Sequence, residues 1–297
     1  MSGFEHTDSG IAGSVYLALY TIYSAFMIYV VYKKGFKTVY TVLLTFPIIR
    51  FGSQLCGVVF SKLGIEQLDW LIAYLVLGAE GYFVLILCAF KFVAQAQKAE
   101  TGNSWVEDEG FDIPGLRFFT KSWSRMFHML LIPANSLVIA GGTMLTGVTD
   151  LEKEHDKVQT SKGIRTAGQV TFLFMTFIVV VFSLKAYTNE RVRNHFNITV
   201  LLCCPFLIVR GIFGVLSIYI EDMNYFQFSN YSADGVNHKL VVYEYVLSTT
   251  MEFVASCFLM SNFFLEKRYK KDDIESWSES DRQQDAFPSD SGEDIKA

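Results

Sequence analysis

The chain has 297 residues, of which 51% are hydrophobic, 15% aromatic and 19% charged, and its mean hydropathy is +0.30. Apolar residues recur in blocks of about twenty, which is typical of polytopic membrane proteins and excludes an ordinary soluble domain. The formal net charge of −5 comes with acidic polar segments and without a basic stripe. The composition therefore predicts no nucleic-acid partner.

Seven apolar segments are each long enough to cross a hydrocarbon layer of about 30 Å at about 1.5 Å per residue. The predicted fold class is therefore all-α, a polytopic membrane protein with seven transmembrane helices. The predicted helices α1 to α7 cover residues 11–32, 38–60, 70–92, 126–147, 164–187, 197–220 and 240–265. The chain then divides into an N-terminal segment (1–10), a transmembrane domain (11–265) and an acidic, Ser-rich tail (266–297) that we expect to be disordered.

Lysine and arginine are more frequent in the segments after α1, α3, α5 and α7 than in the segments between them. Because positive charge favours the cytoplasmic side, the N-terminus is predicted to be extracellular or luminal and the C-terminus cytoplasmic. The sequon Asn230-Tyr231-Ser232 then lies outside, and glycosylation of Asn230 is predicted. We expect a multi-pass protein of the plasma membrane or an endomembrane.

Four charged residues lie near the middle of predicted helices: Arg50 in α2, Glu80 in α3, Arg210 in α6 and Glu252 in α7. Ions at that depth cost several kcal/mol, so they face the bundle interior and have partners. Because consecutive helices usually pack side by side, Arg50–Glu80 and Arg210–Glu252 are the favoured pairs, with the crossed pairs as the alternative. We predict that these residues form a ligand-binding site, and two purely structural salt bridges are the alternative. Glu244 lies nearer the outer end of α7, where snorkelling of its side chain to the interface explains a charged residue in an apolar segment.

Helices α2 and α6 share a sequence pattern, since each has a proline shortly before its arginine and a glycine soon after it. Each of the two helices is also followed by a helix with a central glutamate. The pattern predicts a 3+1+3 parallel repeat, in which α4 links two similar halves, as in some small transporters. Chance similarity is the alternative.

Two loops and the cysteines have further interpretations. Residues 116–125 alternate aromatic and basic positions at helical spacing, which indicates either an interfacial helix or the start of α4. The aromatic residues of segment 221–239 form either an interfacial belt or a lid over an outward-facing cavity. The five cysteines lie in apolar segments without metal-ligand spacing, so no metal or cofactor is predicted.

The segment PFLIVRGIFGVLS (205–217), the helix count, the basic inner loops and the acidic tail resemble an uncharacterised fungal family of seven-transmembrane integral membrane proteins. More distantly, the chain is similar to the fungal lipid-translocating exporter group, which is linked to resistance against toxic sterols and lipids. This resemblance implies a lipid-handling or stress-related role in which Arg210 and Glu252 are functional. The exporter group has further charges after the arginine, where this chain has Gly214 and Ser217.

The first functional hypothesis is a protein that translocates or binds an amphiphilic, lipid- or sterol-like ligand. Arg50 and Arg210 would hold an anionic headgroup, and Glu80 and Glu252 would release the arginines when it arrives. Membrane lipids and an amphiphilic small molecule are the expected partners. The ligand's identity and the oligomeric state stay open.

A seven-transmembrane receptor or sensor is the second hypothesis. It is weakened because α3 lacks an acid-Arg-aromatic triplet and α7 lacks an Asn-Pro-x-x-Tyr motif. The third is a membrane-embedded enzyme, such as a cyclase with Glu80 or Glu252 as its acid. Because the chain has neither a phosphate loop nor a metal-binding cluster in its sequence, we expect that it is not an enzyme.

Overall fold

The structure is a computed structural model that describes residues 6–64, 67–110, 122–145, 155–232 and 235–266. Within these ranges seven helices are long and apolar enough to cross a membrane, which confirms the predicted fold class. Their bounds are α1 (Thr7–Lys34), α2 (Val39–Leu63), α3 (Leu68–Thr101), α4 (Trp123–Thr143), α5 (His155–Thr188), α6 (His195–Tyr219) and α7 (His238–Glu266). The tail from residue 267 and most of the amphipathic segment before α4 (111–121) lie outside the described residues.

Two helices are much longer than the sequence predicts. Helices α3 and α5 have 34 residues each, or about 51 Å at 1.5 Å per residue, well beyond the hydrocarbon layer. The added residues, 93–101 in α3 and 155–163 in α5, are largely polar, and those of α3 are mostly good helix formers. Hydropathy indicates where a helix meets lipid, and these helices continue into the aqueous region beyond it.

Helix α3 lies at the centre of the bundle. It packs against α2, α4, α5 and α6, and 61% of its apolar window is buried, against 28% of that of α1. The face of α1 that does not pack on other helices presents large apolar side chains such as Ile22 to the surroundings, as expected next to lipid. Any group that α3 presents to its neighbours therefore lies in the protein interior.

Hydrogen bonds between helices fix their positions where lipid supplies no partners. The Tyr82 hydroxyl in α3 lies 2.7 Å from Thr176 Oγ1 in α5 and donates to the Leu207 carbonyl oxygen in α6 at 3.1 Å. A side chain at Gly211 would overlap the Tyr82 hydroxyl, so this glycine permits the close approach of α3 and α6. Tyr82 therefore joins three helices at one level.

One turn of α7 is wound as a π-helix, Tyr245–Thr250. Such turns insert an extra residue and are frequent at functional sites. Within this turn the Thr250 hydroxyl donates to the Tyr245 carbonyl oxygen at 2.6 Å. The turn lies immediately before Glu252, so it sets the direction in which that side chain points.

We call the end of the bundle where α1 begins the N-terminal face. The α6–α7 loop (220–237) lies at this face and contains two 3₁₀ turns and the two-residue antiparallel strands β1 (Tyr231–Ser232) and β2 (Gly235–Val236). At the opposite face Lys34 and Glu266 form an ion pair of 2.6 Å that joins the ends of α1 and α7. The orientation in the membrane and the 3+1+3 repeat stay predictions.

The packing of α4 on α5 can be tested at a glycine. A Cβ at Gly168 in α5 would lie 2.5 Å from Val138 Cγ2 and 2.8 Å from the Ala134 carbonyl oxygen. At Gly163, on the same helix, a Cβ would meet nothing within 4 Å. We expect Gly168→Ala to lower stability by about 1–3 kcal/mol through overpacking. Gly163→Ala should leave stability unchanged or raise it by up to about 1 kcal/mol.

Thermal unfolding in detergent measures the stability difference between the two variants. Labelling with a fluorogenic maleimide reports the unfolding, since Cys88, Cys203 and Cys204 are buried and react only once the bundle opens. Equal melting temperatures for the two variants would contradict the close contact of α4 and α5.

Candidate functional site

Glu252 binds two arginines inside the bundle. Its Oε1 accepts a hydrogen bond from Arg210 Nε at 2.5 Å, and its Oε2 lies 3.1 Å from Arg50 Nε. Glu252 and Arg50 are fully buried, and Arg210 is 6% exposed. Three predicted site residues, from α2, α6 and α7, therefore form one ion cluster. Two positive charges and one negative charge leave the cluster with one formal positive charge in excess.

Other side chains also contact the two guanidinium groups. Arg50 Nη2 donates to Thr249 Oγ1 at 2.9 Å, and its guanidinium carbon lies 5.8 Å from the centre of the Tyr20 ring. The guanidinium carbon of Arg210 lies 5.2 Å from the centre of the Tyr82 ring. An aromatic face attracts a cation more strongly when both are desolvated. These rings therefore reduce the cost of burying the excess positive charge.

A glycine in α3 makes room for the cluster. A Cβ at Gly81 would lie 2.6 Å from Arg50 Cδ and 3.0 Å from Glu252 Oε2. At Gly78, one turn earlier, it would lie 3.0 Å from Arg50 Nη1. The central helix thus presents its bare backbone to Arg50, and the ion pair fits between α2, α3 and α7.

The favoured pair Arg50–Glu80 is not formed. Glu80 is half-buried, and its Oε1 accepts a hydrogen bond of 2.7 Å from Asn135 Nδ2 in α4. Successive residues of a helix point about 100° apart, so when Gly81 faces Arg50, Glu80 faces α4 instead. The pair Arg210–Glu252 is formed as favoured, and the crossed pair Arg50–Glu252 is formed in addition.

A cavity with several charged and polar groups in its wall borders the cluster on the side of the N-terminal face. We call it the deep cavity; it has a volume of about 80 Å³ and lies between α3, α4, α5, α6 and α7. Its polar lining residues are Arg165, Gln169, Arg210, Ser217 and Glu244. Of the four predicted site residues, Arg210 lines this cavity, whereas Arg50 and Glu252 lie behind it and Glu80 faces α4.

Sequence reasoning missed three of these lining residues. Arg165 was counted among the loop charges, because α5 was predicted to begin near residue 164. Glu244 was expected to snorkel to the surface, yet it is 8% exposed and faces the deep cavity. Gln169, which is 7% exposed, carries no charge and gave no signal. Helical spacing could have found it, since Arg165 and Gln169 lie four residues apart on one face of α5.

The α6–α7 loop covers part of the deep cavity with Phe226, so its role is closer to a lid than to a belt. Tyr225 is buried beside it, and burial raises the pKa of its phenol well above the usual range. Tyr231 donates a hydrogen bond of 2.7 Å to the Tyr225 carbonyl oxygen. The loop is thus anchored on both sides of Phe226 by packed aromatic side chains.

The predicted glycosylation site, Asn230, lies within this anchored loop. Asn230 is 3% exposed, and its Nδ2 donates to the carbonyl oxygens of Glu221 at 2.6 Å and Asn224 at 2.9 Å. Both amide hydrogens are therefore engaged within the loop. Glycosylation of Asn230 stays a prediction, and it would require the loop to adopt another conformation.

The shared carboxylate can be tested by substitution. We expect Glu252→Gln to destabilise the protein by about 3–5 kcal/mol, because two buried guanidinium groups lose the one carboxylate that, among the described residues, lies within ion-pair distance of both. Glu80→Gln is the matched control and should cost about 1 kcal/mol or less, since an amide still hydrogen-bonds Asn135. Melting temperatures in detergent measure both effects. A similar loss for the two variants would contradict the central place of Glu252.

Comparison with known proteins gives the chain a family but no function. No curated protein and no solved structure matches it. The resemblance to fungal lipid exporters stays a prediction. Residues 9–268, which cover the seven helices except for the first two residues of α1, match the family described as "Domain of unknown function (DUF7702)". The chain, which has seven helices long and apolar enough to cross a membrane, therefore belongs to this family.

Proposed function

We propose that this protein binds and translocates an amphiphilic, lipid- or sterol-like ligand, whose anionic headgroup is held by the buried Arg/Glu cluster. The observation that carries the proposal is that Arg210 and Arg50 share the one carboxylate of Glu252, while Arg210 also lines a cavity. The excess positive charge of the cluster supports an anionic ligand. The protein acts, in this proposal, as a transporter and not as an enzyme.

The shared carboxylate supports an exchange of partners. When an anion binds Arg210, Glu252 keeps Arg50 as its counter-ion, so no buried carboxylate is left uncompensated. With separate Arg–Glu pairs, the ligand would have to displace a carboxylate that has no second partner. Binding therefore requires only that the anion compete with Glu252 for Arg210, and a small difference in free energy shifts the equilibrium.

The size of the deep cavity limits what part of the ligand enters it. A volume of about 80 Å³ suits a headgroup or a few water molecules, and most sites for whole small molecules are several times larger. The apolar part of the ligand would then lie among the side chains that face lipid. Translocation requires a second conformation, and the prolines inside α2, α4 and α6 (Pro47, Pro133 and Pro205) are positions where helices can bend.

A receptor or sensor that binds the same headgroup without moving it is the main alternative, and a membrane-embedded enzyme is the second. A role in stress or toxic-lipid resistance at the plasma membrane or an endomembrane is part of the same proposal. It is supported by the resemblance of segment 205–217 to fungal membrane proteins.

Reconstitution into lipid vesicles tests the function. We expect the wild type to move fluorescent short-chain phosphatidic acid between leaflets faster than phosphatidylcholine of the same chain length. Arg210→Gln should reduce this movement about tenfold or more, since a charge-assisted hydrogen bond contributes about 1.5–3 kcal/mol. Arg210→Lys keeps the charge and should retain part of the activity.

Lys239→Gln is the matched control, because Lys239 is exposed at the N-terminal face and does not line the deep cavity. Its transport should equal that of the wild type. Equal transport by wild type and Arg210→Gln, with both variants folded, would overturn the proposal. Binding of phosphatidic acid without movement would instead favour the receptor or sensor.

A further inference from the structure

We propose that the N-terminal face carries a gated oxyanion site built from Arg165, Gln169 and Arg210, with Phe226 as its gate. The inference rests on the proposed function, because it shares Arg210. It goes further in naming the ligand class, the other binding groups and the route by which the anion arrives.

A second cavity leads from the N-terminal face towards the first. We call it the vestibule; its volume is about 140 Å³, and Gln159, Lys162, Asn224 and Gln227 are its main polar lining residues. The vestibule and the deep cavity share Arg165, Ile218 and Phe226 in their walls. These three side chains therefore form the boundary between a polar outer space and the space beside Arg210.

Cationic side chains line this route at three levels. Lys162 lines the vestibule, Arg165 lies at the boundary, and Arg210 lines the deep cavity. Within the described part of the chain, no carboxylate lies within ion-pair distance of Arg165, whose guanidinium carbon instead lies 4.6 Å from the centre of the Phe226 ring. The opposing charge that lines the deep cavity is that of Glu244. Such a row of cations with low-dielectric walls attracts anions.

The side chain of Gln169 favours a ligand that carries a hydrogen-bond donor. Its side-chain oxygen is buried and accepts no hydrogen bond from the described part of the chain, which is costly for a polar group. Gly214 lies opposite, where a Cβ would overlap Gln169 Oε1 and lie 3.1 Å from Arg210 Nη1. The missing side chain thus keeps open the space between an acceptor and a cationic donor.

These groups together define the chemistry of the ligand. An oxyanion that also carries a proton on a neighbouring oxygen satisfies Arg165, Arg210 and Gln169 at once. Monohydrogen phosphate has this combination near neutral pH, and a phosphate monoester has it in its singly protonated form, which is populated around and below a second pKa of about 6. The same group occurs on a lipid headgroup such as that of phosphatidic acid and on a free phosphate.

Phe226 is placed to open and close the site. Its ring is half-buried against Arg165, and its backbone N–H donates to Asn224 Oδ1 at 3.0 Å. The neighbouring Tyr225 is buried in a separate cluster with Phe60 and Leu71, so the loop stays anchored when the Phe226 ring rotates. An anion would hydrogen-bond the N–H edge of the Arg165 guanidinium, whereas the Phe226 ring covers its face, so rotation of the ring opens the route without taking donors from the anion.

Thiol labelling tests the site without requiring translocation. Cys56 and Cys257, which are partly exposed, are first replaced by alanine, and Ser217→Cys then places a probe in the deep cavity. We expect a negatively charged methanethiosulfonate to react about tenfold faster than a positively charged one of similar size. Arg165→Gln should abolish this preference, Arg165→Lys should retain it, and Phe226→Ala should accelerate both reagents.

Thr160→Cys is the matched control. Thr160 is exposed on α5 close to Lys157 and Lys162 but lines neither cavity. Any preference for anions there reflects the general basic character of this end of α5, and it should not respond to Arg165→Gln. An unreactive Ser217→Cys, equal rates for the two reagents, or a preference unchanged by Arg165→Gln would overturn the site. Rates unchanged in Phe226→Ala would overturn the gate.

Protection of Ser217→Cys identifies the source of the anion. Slower labelling with inorganic phosphate indicates a soluble ligand, and slower labelling only in vesicles that contain phosphatidic acid, against phosphatidylcholine alone, indicates a lipid headgroup. No protection by either would overturn the assignment to an oxyanion. If phosphatidic acid protects the thiol but is not moved between leaflets, this site stands and the translocation proposal fails.

Discussion

The carboxylate of Glu252 lies between two guanidinium groups in the interior of a bundle whose outer surface faces lipid. In such a place an uncompensated charge costs several kcal/mol, so the positions of α2, α6 and α7 are tied to one another through this one side chain. Arg50 and Glu252 have no exposed surface, and Arg210 reaches from the same carboxylate to the wall of a cavity. The cluster is thus a structural junction that also contributes one side chain to the wall of the deep cavity.

The rest of the architecture accommodates this junction. Helix α3 brings its backbone close to the ions at Gly81, and the π-helical turn of α7 places Thr249 against Arg50 just before Glu252. The rings of Tyr20 and Tyr82 lie next to the two cations. Features that each look unfavourable for a stable helix, such as glycine and a π turn, are therefore concentrated around the buried charges. Local irregularity of this kind is frequent at functional sites.

Much of the fold was predictable from the sequence, because a hydrocarbon layer imposes length and polarity on every span. The existence of seven helices followed from their apolar blocks, and the burial of Arg50, Arg210 and Glu252 followed from their depth. The ends of α3 and α5 were wrong because hydropathy reports contact with lipid, whereas helix propensity continues through residues such as those of segment 93–101.

The pairing was harder to predict than the burial. Whether Arg50 meets Glu80 or Glu252 depends on the rotation of α3 about its axis, and one residue changes the direction by about 100°. Gly81 faces the ions and Glu80 faces Asn135, which no spacing rule along a single chain indicates. Gln169 was missed for a related reason: its spacing from Arg165 places it on the same face of α5, but the unpaired state of its buried oxygen is visible only in the structure.

A double-mutant cycle on Arg50 and Glu252 tests the shared carboxylate most directly. Melting temperatures in detergent are measured for the wild type, Arg50→Gln, Glu252→Gln and the double variant. In the wild-type background Arg50→Gln should lower the melting temperature, because Glu252 loses one counter-ion. In the Glu252→Gln background the same change removes an uncompensated buried cation and should raise it. A decrease of the same size in both backgrounds would contradict a coupled pair and leave the ion cluster without its central contact.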